Sequence, residues 1–121
     1  MPSNTLTTVV EKIDPTAIIK VDGPLNDFQA KDIASTIDDL LEKNFIHFII
    51  NFSKSNDVNS YGVSVLISII QSIEKKRGKL LFSNIDSHLD KKFMSMGLKG
   101  YVKIFDKDKD ALAFLVEDLS L

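Results

Sequence analysis

Few residues in this chain have chemistry to offer, and one group of them lies in the stretch DVNSYGV at positions 57–63. Ser60 stands there between the polar residues Asn56, Asp57 and Asn59 and an apolar run that begins at Val63. The pattern predicts a helix opening at Ser60 or Tyr61, with the Ser60 hydroxyl at the positive end of the helix dipole, beside N–H groups that lack helical partners. Two readings are open. As a cap, Ser60 accepts one of those N–H groups, although Val63 at the third helical position excludes the reciprocal box that a Glu or Gln would complete. As a phosphoacceptor, it gains about −1.5 to −2 charges, which the helix N-terminus tolerates and a partner docked on that surface does not.

The rest of the inventory argues against catalysis. His47 lies in an apolar strand and His88 begins a short helix, and neither has metal-ligand spacing. Phosphate-cradling glycine loops are absent; Gly97 and Gly100 read as a helix cap and a turn. In Asp106-Lys107-Asp108-Lys109-Asp110 the lysines neutralise the acids and the calcium-loop spacing is missing, so the run reads as a solvated helix start. Lys75-Lys76-Arg77 and Lys91-Lys92 suit helix surfaces. Without cysteine the chain has no disulfide, thiolate metal site or thiol nucleophile, which fits a reducing compartment and a cytoplasmic location. A net charge of −2 gives no electrostatic reason to expect nucleic acid. No basic, apolar leader opens the sequence and no uncharged run approaches the ~18 residues of a membrane span, so neither export nor insertion is expected.

Something must hold Ser60 in place, and at 121 residues that is one domain with one core. Leu6 to Val10 and Ala17 to Val21 are β-branched runs separated by Asp14-Pro15, which reads as two strands and a turn. Ile33, Ile37, Leu40 and Leu41 form the apolar stripe of a helix spanning Asp27 to Lys43, closed by Asn44 in the left-handed conformation. FIHFIINF is apolar on both alternating faces apart from His47 and Asn51, as befits a central strand covered on both sides. The helix from Tyr61 to Lys76 ends in cations, with Gly78 available for the left-handed cap. KLLFSNI is a strand, SHLDKKFMSMGL a short helix with Leu89, Phe93 and Met96 inward, and YVKIF a final strand. The closing helix DKDALAFLVEDL sets Leu112, Leu115, Val116 and Leu119 on one face. The order β-β-α-β-α-β-α-β-α predicts an α/β fold with parallel crossovers and an antiparallel hairpin at the start.

This order, from Leu6 to Leu119, resembles a STAS domain, and in particular the stand-alone bacterial anti-sigma factor antagonists. Gly23-Pro24-Leu25-Asn26 resembles that family's G-x-[LIF]-D after the second strand. NFSKSNDVNSYG resembles D-L-S-x-V-x-F-I-D-S-S-G, and FMSMGLKGYVKIF the late segment with its Gly-Leu turn before the last strand. The resemblance implies one STAS domain over residues 1–121, with a core of about 5–119. Its sheet would be mixed and mostly parallel, of four to five strands, with about four helices.

It also implies a non-enzymatic partner switch without cofactor or metal. The unphosphorylated antagonist binds an anti-sigma factor, often a serine kinase; phosphorylation ends the binding and a phosphatase restores it. The implied phosphoacceptor is Ser60, the second hydroxyl residue is Tyr61 and the motif glycine is Gly62. The implied contact surface takes in Asn26, Asn56, Asp57, Val58, Asn59, Ser60, Tyr61, Gly62 and Val63. Asn59, Asn26 and Asn51 stand where the family carries acids, which keeps size and hydrogen bonding but removes charge. A phosphorylation-independent interaction module is therefore the competing reading, and a small enzyme or ligand-binding domain a third. Tyr61 reads either as an exposed anchor for a partner or as packing against a neighbouring loop. The oligomeric state, monomer or weak dimer, is left open.

Overall fold

In the computed structural model, which describes residues 7–25 and 30–119, the hairpin strands are β1 (Thr7–Ile13) and β2 (Thr16–Asp22). They are followed by α1 (Ala30–Glu42), β3 (His47–Lys54), α2 (Ser60–Lys75), β4 (Lys79–Ser83), α3 (Ser87–Ser95), a 3₁₀ turn (Leu98–Gly100), β5 (Lys103–Phe105) and α4 (Asp108–Leu119). The strands lie in the order β1-β2-β3-β4-β5, antiparallel between β1 and β2 and parallel thereafter. The expected mixed sheet and four helices are therefore present. β1 runs to Ile13, beyond the expected Val10, because Glu11, Lys12 and Ile13 pair with Ile18, Ala17 and Thr16. Leu6 and the expected opening of α1 at Asp27 lie outside the described residues.

Strand alternation divides the core between two faces of the sheet. Ala17, Ile19 and Val21 of β2 and Phe48, Ile50 and Phe52 of β3 face α1, α2 and α3, whereas Ile18, Ile49 and Leu81 face Ala111 and Leu115 of α4. On the larger side Phe52, Phe82 and Phe93 form a cluster with ring centroids 4.9 to 5.6 Å apart, joining β3, β4 and α3. All four stripe residues of α1 are buried, as the periodicity requires.

Three expectations fail in detail. The face of α4 is rotated: Ala111 and Leu115 are buried, with Leu112 and Phe114 beside them, while Val116 is 67% exposed. Small Ala111 lets the helix approach the sheet, and Phe114 stacks against Phe105 at 5.4 Å, which turns Val116 outward. In the α3 segment Met96 is exposed and Leu98 takes the inward place. At the end of α2 the left-handed residue is Arg77 (φ 61°), not Gly78. Gly78 is required for a different reason, since a Cβ there would stand 1.7 Å from the Ile46 carbonyl oxygen. Asn44 (φ 71°) and Gly97 (φ 77°) do take the expected conformation.

Candidate functional site

The mouth of α2 is built by two polar loops at the C-terminal ends of β2 and β3. Gly23 N–H donates to the Lys54 carbonyl at 3.0 Å, and the Ser55 hydroxyl donates to the Gly23 carbonyl at 2.6 Å. One step further, Leu25 N–H donates to the Asp57 carbonyl and Asn59 N–H to the Leu25 carbonyl, at 3.0 and 3.3 Å, so Leu25 and Val58 form a parallel bridge. Both side chains are buried. The polar connector is thus anchored to the sheet, with its backbone groups used internally.

Asn59, not Ser60, is the cap. Its backbone is extended (φ −114°, ψ −178°), its Oδ1 accepts from Gly62 N–H at 2.9 Å, and its carbonyl accepts from Val63 N–H at 3.0 Å. An asparagine can reach the third N–H beyond it only from just outside the helix, which moves Ser60 to the first helical position. That corrects the reading of Ser60 as N-cap. The third helical position then falls on Gly62, so the reciprocal box is again impossible. Relieved of capping, Ser60 is exposed on the first turn. Asn59→Ala is expected to cost about 1 kcal/mol, the ordinary loss for such a cap, and thermal unfolding beside a Ser60→Ala control, which leaves the cap intact, checks it.

The expected surface residues separate by depth. Asn56, Asn59 and Ser60 are exposed and Asp57 is half-buried. Val58, Gly62 and Val63 are buried and support the surface from beneath, because the helix mouth packs straight onto Leu25. Tyr61 is half-buried and packs against the main core. Asn26 lies outside the described residues.

Asp57 does not stand as a loose charge beside Ser60. Its Oδ1 accepts from Lys92 Nζ of α3 and from Val58 N–H, and the Lys92 hydrogen bond is the main cause that holds its carboxyl below the usual value of 3.8. The sign follows from the depressed pKa: the pair adds stability above pH 3.8, and that addition is lost as pH falls through the lower folded value. Lys92→Met should raise the Asp57 pKa toward the ordinary carboxylate value. Because both side chains are partly exposed, the change in stability should stay below about 1 kcal/mol. An NMR titration of the Asp57 carboxyl checks the shift.

Asn51 makes a contact that sequence reading missed. Its Nδ2 donates to both carboxylate oxygens of Asp108 at 3.0 and 2.9 Å, and its Oδ1 accepts from Ser53 N–H at 2.8 Å. The buried Ser83 hydroxyl donates to the same carboxylate at 2.5 Å. Asp108 is therefore not merely part of a solvated helix start: it clamps the first turn of α4 to the ends of β3 and β4. A carboxylate still stands at the end of β3, supplied by α4. His47 is buried, with Nδ1 accepting from Lys79 N–H at 3.2 Å, a structural role as expected. Among the described residues no group of three or more His, Cys, Asp or Glu could hold a metal ion.

Known proteins share this architecture. The SpoIIAA anti-sigma factor antagonist of Bacillus in its unphosphorylated form superposes with a TM-score of 0.80 at 18% identity, over 92% of this chain and 97% of that one. An anti-sigma factor antagonist from Mycobacterium paratuberculosis gives 0.76 at 19% identity, over 89% and 92%. A sulfate transporter family protein from Wolinella succinogenes gives 0.80 at 20% identity, over 90% and 91%. At these identities the likeness establishes the fold. No curated protein sequence matches the chain. The family model of the STAS domain matches residues 7–111, from β1 into the first turn of α4, and so takes in every element that builds the α2 mouth. The chain belongs to the STAS domain family.

Proposed function

We propose that this protein is an anti-sigma factor antagonist that regulates transcription by binding an anti-sigma factor serine kinase through the mouth of α2. Phosphorylation of Ser60 ends the binding and a phosphatase restores it. The observation that carries this reading is the position of Ser60: exposed, first in its helix, and spared from capping by Asn59. A phosphate there meets the positive end of α2 and leaves the fold intact while placing about −1.5 to −2 charges on the docking surface. The SpoIIAA fold has been solved in both an unphosphorylated and a phosphorylated form, which supports a phosphate-tolerant scaffold. No described helix is long and apolar enough to cross a membrane, and the action proposed is cytoplasmic and non-catalytic.

A second reading, an interaction module that binds regardless of phosphate, is favoured by the charge of the mouth. Asn59 carries none, and the carboxylate of Asp57 is neutralised by Lys92. One set of measurements separates the two. Incubation with the kinase and ATP, followed by intact mass and peptide mapping, should place one phosphate on Ser60. Ser60→Asp should weaken the partner by tenfold or more, about 1.4 kcal/mol, whereas Ser60→Ala should bind permanently. No phosphate where a control substrate is modified, together with equal affinities for all three forms, would establish the second reading.

A further inference from the structure

β1 closes one side of the sheet. All seven of its residues pair with β2 on the inner edge, and no described strand pairs with the outer one. Such an edge presents unpaired N–H and C=O groups on alternate residues and is a template for another strand unless a charge, proline or bulge blunts it. Here the blunting devices are weak. β1 contains no proline, its ladder with β2 has no register shift, and Lys12 holds its ammonium 6.0 Å from the centroid of its own Phe45 ring. On the face shared with α4 the strand leaves Val9 66% and Ile13 42% exposed, because α4 packs mainly on β3, β4 and β5, reaches Ile18 of β2 and leaves β1 uncovered.

We propose that β1 pairs with β1 of a second copy of this chain, antiparallel about a two-fold axis through Val10, joining two five-stranded sheets into one. The strand's own sequence selects this partner and register. A two-fold axis perpendicular to the sheet keeps equivalent faces together, and Val10 is the midpoint of Thr7–Ile13, so this axis alone pairs the whole strand. It sets Val9 opposite the partner's Glu11, Thr8 opposite the partner's Lys12 and Val10 opposite itself, with no like charges opposed. Moving the axis to Glu11 or Lys12 would place identical charges directly across the ladder, which is destabilising. Moving it to Val9 would leave Lys12 and Ile13 unpaired. In the Val10 register the two Val9 side chains become diagonal neighbours about 7–8 Å apart, and each covers part of the other's exposed surface. An interface of one strand edge lies at the low end of specific interfaces, so the dimer is weak and dissociates readily.

Sedimentation velocity of the full chain from about 10 µM to about 1 mM should show a monomer passing into a dimer. Val9→Glu sets a carboxylate opposite the partner's Glu11 while its own neighbour across the hairpin is Lys20, so the fold is kept. It should weaken the dimer about tenfold or more. Mixing Val9→Glu with Glu11→Lys should restore association between the two variants. Since the chain has no cysteine, disulfide trapping reads the register independently: Val10→Cys should cross-link on oxidation and Thr8→Cys should not. A monomer throughout the range overturns the proposal. So does a dimer that Val9→Glu leaves unchanged, or one that Thr8→Cys traps as readily as Val10→Cys.

Discussion

Asn51→Asp is expected to lower stability by about 3 kcal/mol at neutral pH, and by far less near pH 4, where carboxyl groups bind protons. Asn51 is only 5% exposed, and its Nδ2 makes two of the hydrogen bonds that hold Asp108. Substitution keeps the acceptor for Ser53 N–H but sets a carboxylate against a carboxylate in a partly buried site. Like charges at that distance cannot both stay ionised at low cost, so the introduced carboxyl takes a raised pKa. The sign follows: the deficit is absent below the unfolded pKa, grows as pH rises between the unfolded and folded values, and is full above the folded one. Urea unfolding at both pH values measures it, and a loss under about 1 kcal/mol that does not change with pH would show that Asp108 is not the clamp. The amide at the end of β3, where the family carries an acid, thus has a physical reason. With α4 supplying the carboxylate, the strand must supply the donor.

Gly62→Ala has the other large expected effect, a loss of about 3 kcal/mol or more, although alanine is the better helix former by about 1 kcal/mol. A Cβ on Gly62 would stand 1.9 Å from the Leu25 carbonyl oxygen and 2.9 Å from Val58 Cγ2. The first neighbour is backbone, fixed by the Leu25–Val58 bridge, so the helix mouth has to move. For a domain of this size that corresponds to a fall in Tm of roughly 10 °C. Gly100→Ala is the control, since nothing lies within 4 Å of a Cβ there. If both variants melted like the parent, the close approach of α2 to Leu25 would be refuted. A milder outcome, with the fold kept and partner affinity lost, would show that the mouth had shifted beneath Ser60.

How much of this was legible in advance depended on the range of the interaction. The stripe of Ile33, Ile37, Leu40 and Leu41 and the two-sided apolar run from Phe45 to Phe52 are periodic signals, and periodicity is a property of neighbouring residues. Those elements, the hairpin and their order were therefore readable, while the STAS fold came from the resemblance of that order and of the motifs at Gly23-Pro24-Leu25-Asn26 and NFSKSNDVNSYG. The cap was half readable. Both Asn59 and Ser60 suit an N-cap, and only the extended backbone at Asn59 decides between them. The α4 face was misjudged because Ala111 carries little apolar signal, yet its smallness sets how closely the helix lies on the sheet.

By itself the sequence determined the secondary elements, their order and the presence of a serine at the mouth of α2, since each follows from contacts within a few residues. Only the tertiary structure decided what Asn51, Asp57, Gly62 and Gly78 are for. Their partners are Asp108, Lys92, Leu25 and Ile46, between 32 and 57 residues away, and the crossovers of the sheet alone bring them together. Hydrogen bonds, ion pairs and steric limits act over a few ångströms, whatever the distance along the chain, and no local pattern records them.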